Sequence, residues 1–119
     1  MRKIRMVVAN TKPDPTGCFP QLTPKALREA TKSDKVPLLL NFDYDKELGI
    51  VTNFIYDEEQ EELIAEAILN PDAEIPEDFL PALGYAWDPK TKSFLGATSV
   101  GLALEPAKPG TRLECAEDD

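Results

Sequence analysis

KVPLLLNFDYDKELGIVTN, residues 35–53, sets two apolar runs either side of a charged one, and its reading decides the fold. Val36 to Asn41 reads as a buried strand, with Pro37 near its start where a missing N–H does least harm. Gly49 opens a second strand, and Leu48 to Tyr56 is rich in the β-branched and aromatic residues that strands favour. Between them, Asp43-Tyr44-Asp45-Lys46-Glu47 reads as a solvated hairpin loop. The same five residues look like the start of a calcium loop. An EF-hand, however, needs glycine at its sixth position and a bidentate glutamate at its twelfth, where this chain has Leu48 and Phe54. No metal is expected there.

Toward the N-terminus, Arg2 to Ala9 places Ile4, Met6 and Val8 on one side, the alternation of a strand. Asn10 to Gln21 holds three prolines and a glycine and reads as a surface loop. Thr23-Pro24 supplies a cap residue followed by proline at the first helical position, so a short helix runs to Ala30 and ends at Ser33-Asp34. Toward the C-terminus, Asp57-Glu58-Glu59-Gln60 makes a polar turn. Glu61 to Leu69 is ambiguous: its Glu, Leu, Ala and Ile favour a helix by propensity, whereas the preceding strand and short acidic turn invite a hairpin. A single helical turn is expected within Pro76–Leu80. An extended Leu83–Trp87 follows, then a turn at Asp88-Pro89-Lys90. Ser93 to Leu104 reads as a final strand, or as two broken at Gly96 or Gly101. After a turn at Pro106–Gly110, the acidic end is expected to fray. The pattern predicts a β-rich α+β fold: a compact barrel or sandwich of about six to seven mostly antiparallel strands with one or two short helices. Residues 1–113 would form one domain and 114–119 an acidic flexible tail.

A chain of 119 residues suits a single domain with a modest core. Twenty-two acids against 13 bases give a formal charge of −9, which argues against nucleic acid, whose phosphates need clustered Lys and Arg. No apolar run approaches the ~20 residues that span a bilayer, and Val7-Val8-Ala9 is too short for a signal-peptide core. An intracellular setting is expected. The chain has no histidine, which removes the commonest general base, zinc ligand and pH switch together. Cys18 and Cys115 match no zinc spacing; they read as reduced thiols, with a disulfide as the sharper alternative.

Gly-rich phosphate loops and paired Cys-x-x-Cys motifs are absent, and no cofactor is expected. Tyr85 and Trp87 read as buried anchors, with stacking on a ligand as the alternative. Covalent catalysis needs a nucleophile beside a base. Without histidine, a serine such as Ser33 or Ser99 would depend on lysine or a carboxylate.

Several stretches taken together give a resemblance. Leu38-Leu39-Leu40-Asn41-Phe42-Asp43, then Leu48-Gly49-Ile50-Val51, is similar to a strand ending in His-Asp that leads through Gly into a second strand. Ala82-Leu83-Gly84-Tyr85 is similar to a Ser-Ile-Gly-Tyr nucleophile motif, and Ser99 to Pro109 to a closing Glu-Val-Ser-Leu-Val-x-x-Pro-Ala-Asn-Pro run. Residues 35–113 thereby resemble the prohead (capsid maturation) serine proteases of tailed phages, which share the herpesvirus-protease fold. The resemblance favours a strand over Glu61–Leu69. It also implies that Phe42 stands where the family has its histidine and Ala82 where it has its serine, with Ser99 a further vestigial position. A phenyl ring takes no proton and a methyl group attacks no carbonyl, so the resemblance implies a degenerate protease with no catalytic residues. Phe42 is expected to fill the old cleft as ordinary core, a burial worth ~2 kcal/mol if complete.

The expected role is structural: capsid decoration (cement) or head assembly, with the major capsid protein or other head proteins as partners, and a homo-oligomer left open. The setting would be the virion, or the host cytoplasm during assembly. Two alternatives stand beside it. One is a regulatory pseudoprotease that binds an active protease or a host factor. The other is an enzyme with a relocated site, in which Ser99 or Thr98 attacks with help from Lys92 or an acid.

Overall fold

The computed structural model describes residues 2–13, 15, 21–33, 35–76, 78–103 and 110–118, with the backbone alone at 115–118. Cys18, the side chain of Cys115, residues 104–109 and most of 14–20 lie outside the described residues, and with them the disulfide reading.

Among the described residues, seven strands and one helix follow one another as β1 (Arg2–Asn10), α1 (Pro24–Ala30), β2 (Val36–Leu40), β3 (Asp43–Asp57), β4 (Glu62–Leu69), β5 (Leu80–Asp88), β6 (Ser93–Ala103) and β7 (Arg112–Asp118). They form a single sheet in the order β5-β6-β2-β3-β4-β1-β7, antiparallel except where β2 meets β6. The sheet curls into a half-barrel, so the expected β-rich fold takes its barrel form rather than the two layers of a sandwich.

The concave side holds the core. Ile4, Met6 and Val8 of β1, Leu38 of β2, Val51 and Phe54 of β3, Leu63, Ala65, Ala67 and Leu69 of β4, and Val100 and Leu102 of β6 all point inward. Helix α1 lies against them through Ala26, Leu27 and Ala30. Its start is set as the sequence suggests: the Thr23 hydroxyl accepts from the Ala26 N–H at 3.1 Å and Pro24 occupies the first turn. Seven residues cannot sustain a helix on propensity alone, so α1 depends on this burial.

Glu62–Leu69 is a strand. Its helical propensity is overridden because both neighbours offer ladders, β1 on one side and β3 on the other. Leu63, Ala65, Ala67 and Leu69 face the core, and the Asp57 carboxylate ties the preceding turn by accepting from the N–H groups of Glu59 and Gln60.

Four expectations need correction. Asp43–Glu47 is no loop: β3 begins at Asp43, and the chain reverses in the two residues Asn41 and Phe42. Its charged residues are solvated nonetheless, because Leu40 pairs with Asp43 and Leu39 with Glu47, which leaves Tyr44, Asp45 and Lys46 as an unpaired arch. No helical turn occurs among the described residues of 76–80, and α1 is the one helix among the described residues. Ser93–Ala103 is a continuous strand but not the last. Residues 112–118, most of the expected tail, form β7 along β1, from Arg2↔Asp118 to Val7↔Arg112. Arg112 anchors it, with its guanidinium 2.9 Å from Glu62 on β4 and 2.9 Å from Glu114.

Candidate functional site

The convex face of β2, β6 and β5 carries the positions that the sequence singles out. Partners in a ladder share a face. Gly84 pairs with Ser99, while Ala82 and Leu39 flank Gly101 on either side. All of these therefore point away from the core, into which Leu38, Leu83, Val100 and Leu102 project. The result is a floor of four small residues, two of them glycines, with the buried Leu39 beside it.

Phe42 lies on that floor. It sits in the tight turn between β2 and β3, where Asn41 has φ 54° and Phe42 φ 57°. Two successive left-handed residues joining paired strands make the primed hairpin turn that normally carries Asn-Gly. A bulky side chain at the second position is disfavoured by roughly 1–2 kcal/mol. The Asn41 N–H donates to the Leu102 carbonyl at 2.9 Å and pins the turn against β6. The ring then folds back over the glycines: a Cβ on Gly101 would stand 2.6 Å from Phe42 Cε2 and Cζ, and one on Gly84 3.2 Å from Cε1. The same Gly84 Cβ would collide with Ser99 Oγ. At both glycines an added Cβ would have to displace a neighbouring side chain, Phe42 at Gly101 and Ser99 at Gly84.

Phe42, Ala82 and Ser99 are therefore brought together on one patch. The ring rests on the register partner of Ala82 and beside the register partner of Ser99. The expectation that Phe42 becomes ordinary core is corrected, because the residue stays 39% exposed. A turn residue reaches over the sheet from its rim, so solvent keeps one side of the ring. Its burial is worth about 1–1.5 kcal/mol rather than the full value, comparable to the backbone strain.

Ser99 is 3% exposed. Lys92, offered as its base, stands just before the start of β6 at Ser93, and Ser93 is itself six residues from Ser99 along the strand. At ~3.3 Å per residue this is about 20 Å, several times a lysine's reach. Among the described residues no hydrogen bond or ion pair joins Ser99 to a lysine or a carboxylate. Thr98 is the extra residue of a bulge, since Gly84 pairs with Ser99 and Tyr85 with Ala97, and it is exposed.

Tyr85 and Trp87 belong to the other side of the sheet. Tyr85 meets the edge of Trp87 at 6.5 Å and tilts onto Phe94 at 5.5 Å, with Tyr85 and Phe94 packed against the core. The adjoining turn is set by Asp88, whose carboxylate is held below its usual range, first by the Lys90 N–H and then by the Thr91 hydroxyl. Arg112 is pushed above its usual range, chiefly by its hydrogen bond to Glu62. Among the described residues no group of three or more His, Cys, Asp or Glu is arranged to hold a metal, and no helix is long and apolar enough to cross a membrane.

The sequence reading missed Gly84 and Gly101 as parts of this patch. A glycine inside a strand pattern is itself the signal, because it marks a bulge or a close approach. No protein-family model matches the chain, and no curated protein matches it.

Proposed function

We propose that the chain is a non-catalytic, prohead-protease-like protein with a structural or interaction role in a phage particle, as a capsid decoration or head-assembly protein. The observation that supports this reading is the seat of Phe42. An aromatic ring covers the small-residue floor on which Ala82 and Ser99 lie, in a chain without a single imidazole. Attack on a carbonyl needs an activated oxygen and a proton acceptor within about 3 Å. The patch offers one buried serine, a methyl group and hydrocarbon. The charge of −9 suits the outside of a shell better than its DNA-filled interior.

The test is cosedimentation of the purified chain with heads lacking it. Saturable binding to the major capsid lattice is expected, and a protein that stays in the supernatant removes the capsid role. A fluorophosphonate probe should leave the chain unlabelled; stoichiometric labelling at Ser99 would end the non-catalytic reading.

A second reading, a regulatory pseudoprotease, draws on the exposure of Phe42 at 39% and Tyr44 at 66%, two aromatic rings at one hairpin tip. Such rings are frequent anchors in protein interfaces. Inhibition or activation of a co-expressed phage protease would favour it, and binding to empty heads alone would not.

A further inference from the structure

A separate groove lies on the concave side, between α1 and the turn joining β5 to β6. We propose that it is a binding site for a small aromatic carboxylate. The inference stands independently of the role proposed above.

The groove has an aromatic wall. Trp87 and Phe94 are ladder partners on β5 and β6, and both line it, with Ala26 of α1 opposite. Neither ring is loose, because Tyr85 packs edge-on to Trp87 and tilted onto Phe94. A flat ligand ring entering here meets partners already fixed in the offset and edge arrangements that aromatic rings prefer. The volume of about 230 Å³ lies below the usual range of drug-sized sites, which suits one ring with a short substituent.

The rim is cationic in a strongly acidic chain. Lys25, Lys92 and Glu29 line the groove. The Glu29 carboxylate is already engaged by Lys32 at 3.3 Å. Among the described residues neither Lys25 nor Lys92 forms an ion pair, although acids outnumber bases by 22 to 13. Two ammonium groups against one carboxylate already held by Lys32 leave the rim net positive, which selects against a cation and favours an anion. The wall adds the requirement for a flat apolar body. A bare phosphate would leave the rings unused. The ligand's ring therefore lies against Trp87 and Phe94, and its carboxylate is held between Lys25 and Lys92.

Trp87 is the only tryptophan in the sequence, so its indole N–H gives one NMR resonance that reports the groove directly. Titration of the full chain with benzoate at low salt should shift that resonance saturably. Acetate has the charge without the ring and benzamide the ring without the charge; each should bind at least about ten-fold more weakly. Raising salt to about 0.5 M should weaken benzoate binding. Lys25→Gln and Lys92→Gln should each lower benzoate affinity by about three- to ten-fold, with unchanged thermal unfolding because both side chains are exposed. The proposal is overturned if benzamide or benzylamine binds as well as benzoate. Failure of benzoate to shift the indole saturably, or full affinity in both lysine variants, overturns it as well.

Discussion

The two faces of the sheet solve the same packing problem by opposite means. On the concave side, aliphatic side chains from five strands interlock with one another and with Leu27 and Ala30 of α1. On the convex side of β2, β6 and β5, the strands present Ala82, Gly84, Ser99 and Gly101, and one ring reaches over them from a turn. The first arrangement distributes burial over many contacts. The second covers its small residues with a single ring whose backbone is strained. The faces should therefore respond differently to substitution.

The largest effect is expected on the concave side. Leu27 is fully buried, and Leu27→Ala should cost about 3 kcal/mol in urea unfolding, within the ~2–5 kcal/mol of other core truncations. A loss below about 1 kcal/mol would mean that α1 is not needed to close the core.

Gly101→Ala tests the convex face from the opposite direction, since it adds an atom where the ring already lies. It should destabilise by about 2 kcal/mol through overpacking. Combined with Phe42→Ala, most of that cost should vanish, giving a coupling of at least ~1 kcal/mol in a double-mutant cycle. Simple additivity would show that the ring does not rest on Gly101.

Arg112→Gln removes the tie between β7 and Glu62. With the arginine side chain 49% exposed, a loss of about 0.5–1 kcal/mol is expected, seen first as faster amide exchange in β7.

Phe42→Gly should be nearly neutral, within about 0.5 kcal/mol. The burial lost, about 1–1.5 kcal/mol, is offset by release of the left-handed strain. A loss above 2 kcal/mol would mark the ring as true core.

The smallest effect is electrostatic. Asp88 has its folded pKa lowered from 3.8 by the turn's hydrogen bonds. Its contribution to stability is present above the unfolded value and is lost as pH falls through the folded one. Asp88→Asn should therefore lower stability slightly at neutral pH and change little below pH ~3, where the carboxyl is protonated in both states, so that the acid limb of the profile flattens.

Local chemistry was legible in the sequence, and long-range pairing was not. The alternation of Ile4, Met6 and Val8 fixed the inward face of β1, and Thr23-Pro24 fixed the start of α1. Strand β7 escaped because an edge strand such as Arg112-Leu113-Glu114 shows charged and exposed side chains, which read as a tail until a partner supplies the ladder. The parallel pairing of β2 with β6 joins residues some sixty positions apart and has no local signature. Of the candidate patch, Phe42, Ala82 and Ser99 came from the resemblance. The glycines beneath the ring, and the ring's exposure, depend on register and on a turn geometry that Asn-Phe does not advertise.

That parallel junction has a kinetic consequence. Only three register pairs, Leu38↔Val100 to Leu40↔Leu102, join the β5–β6 hairpin to β2, whereas the hairpin's own ladder runs from Leu80↔Ala103 to Asp88↔Ser93. Opening of residues 80–103 is therefore expected to begin at this short junction, opposed by the burial of Val100 and Leu102 and by the Asn41 N–H on the Leu102 carbonyl.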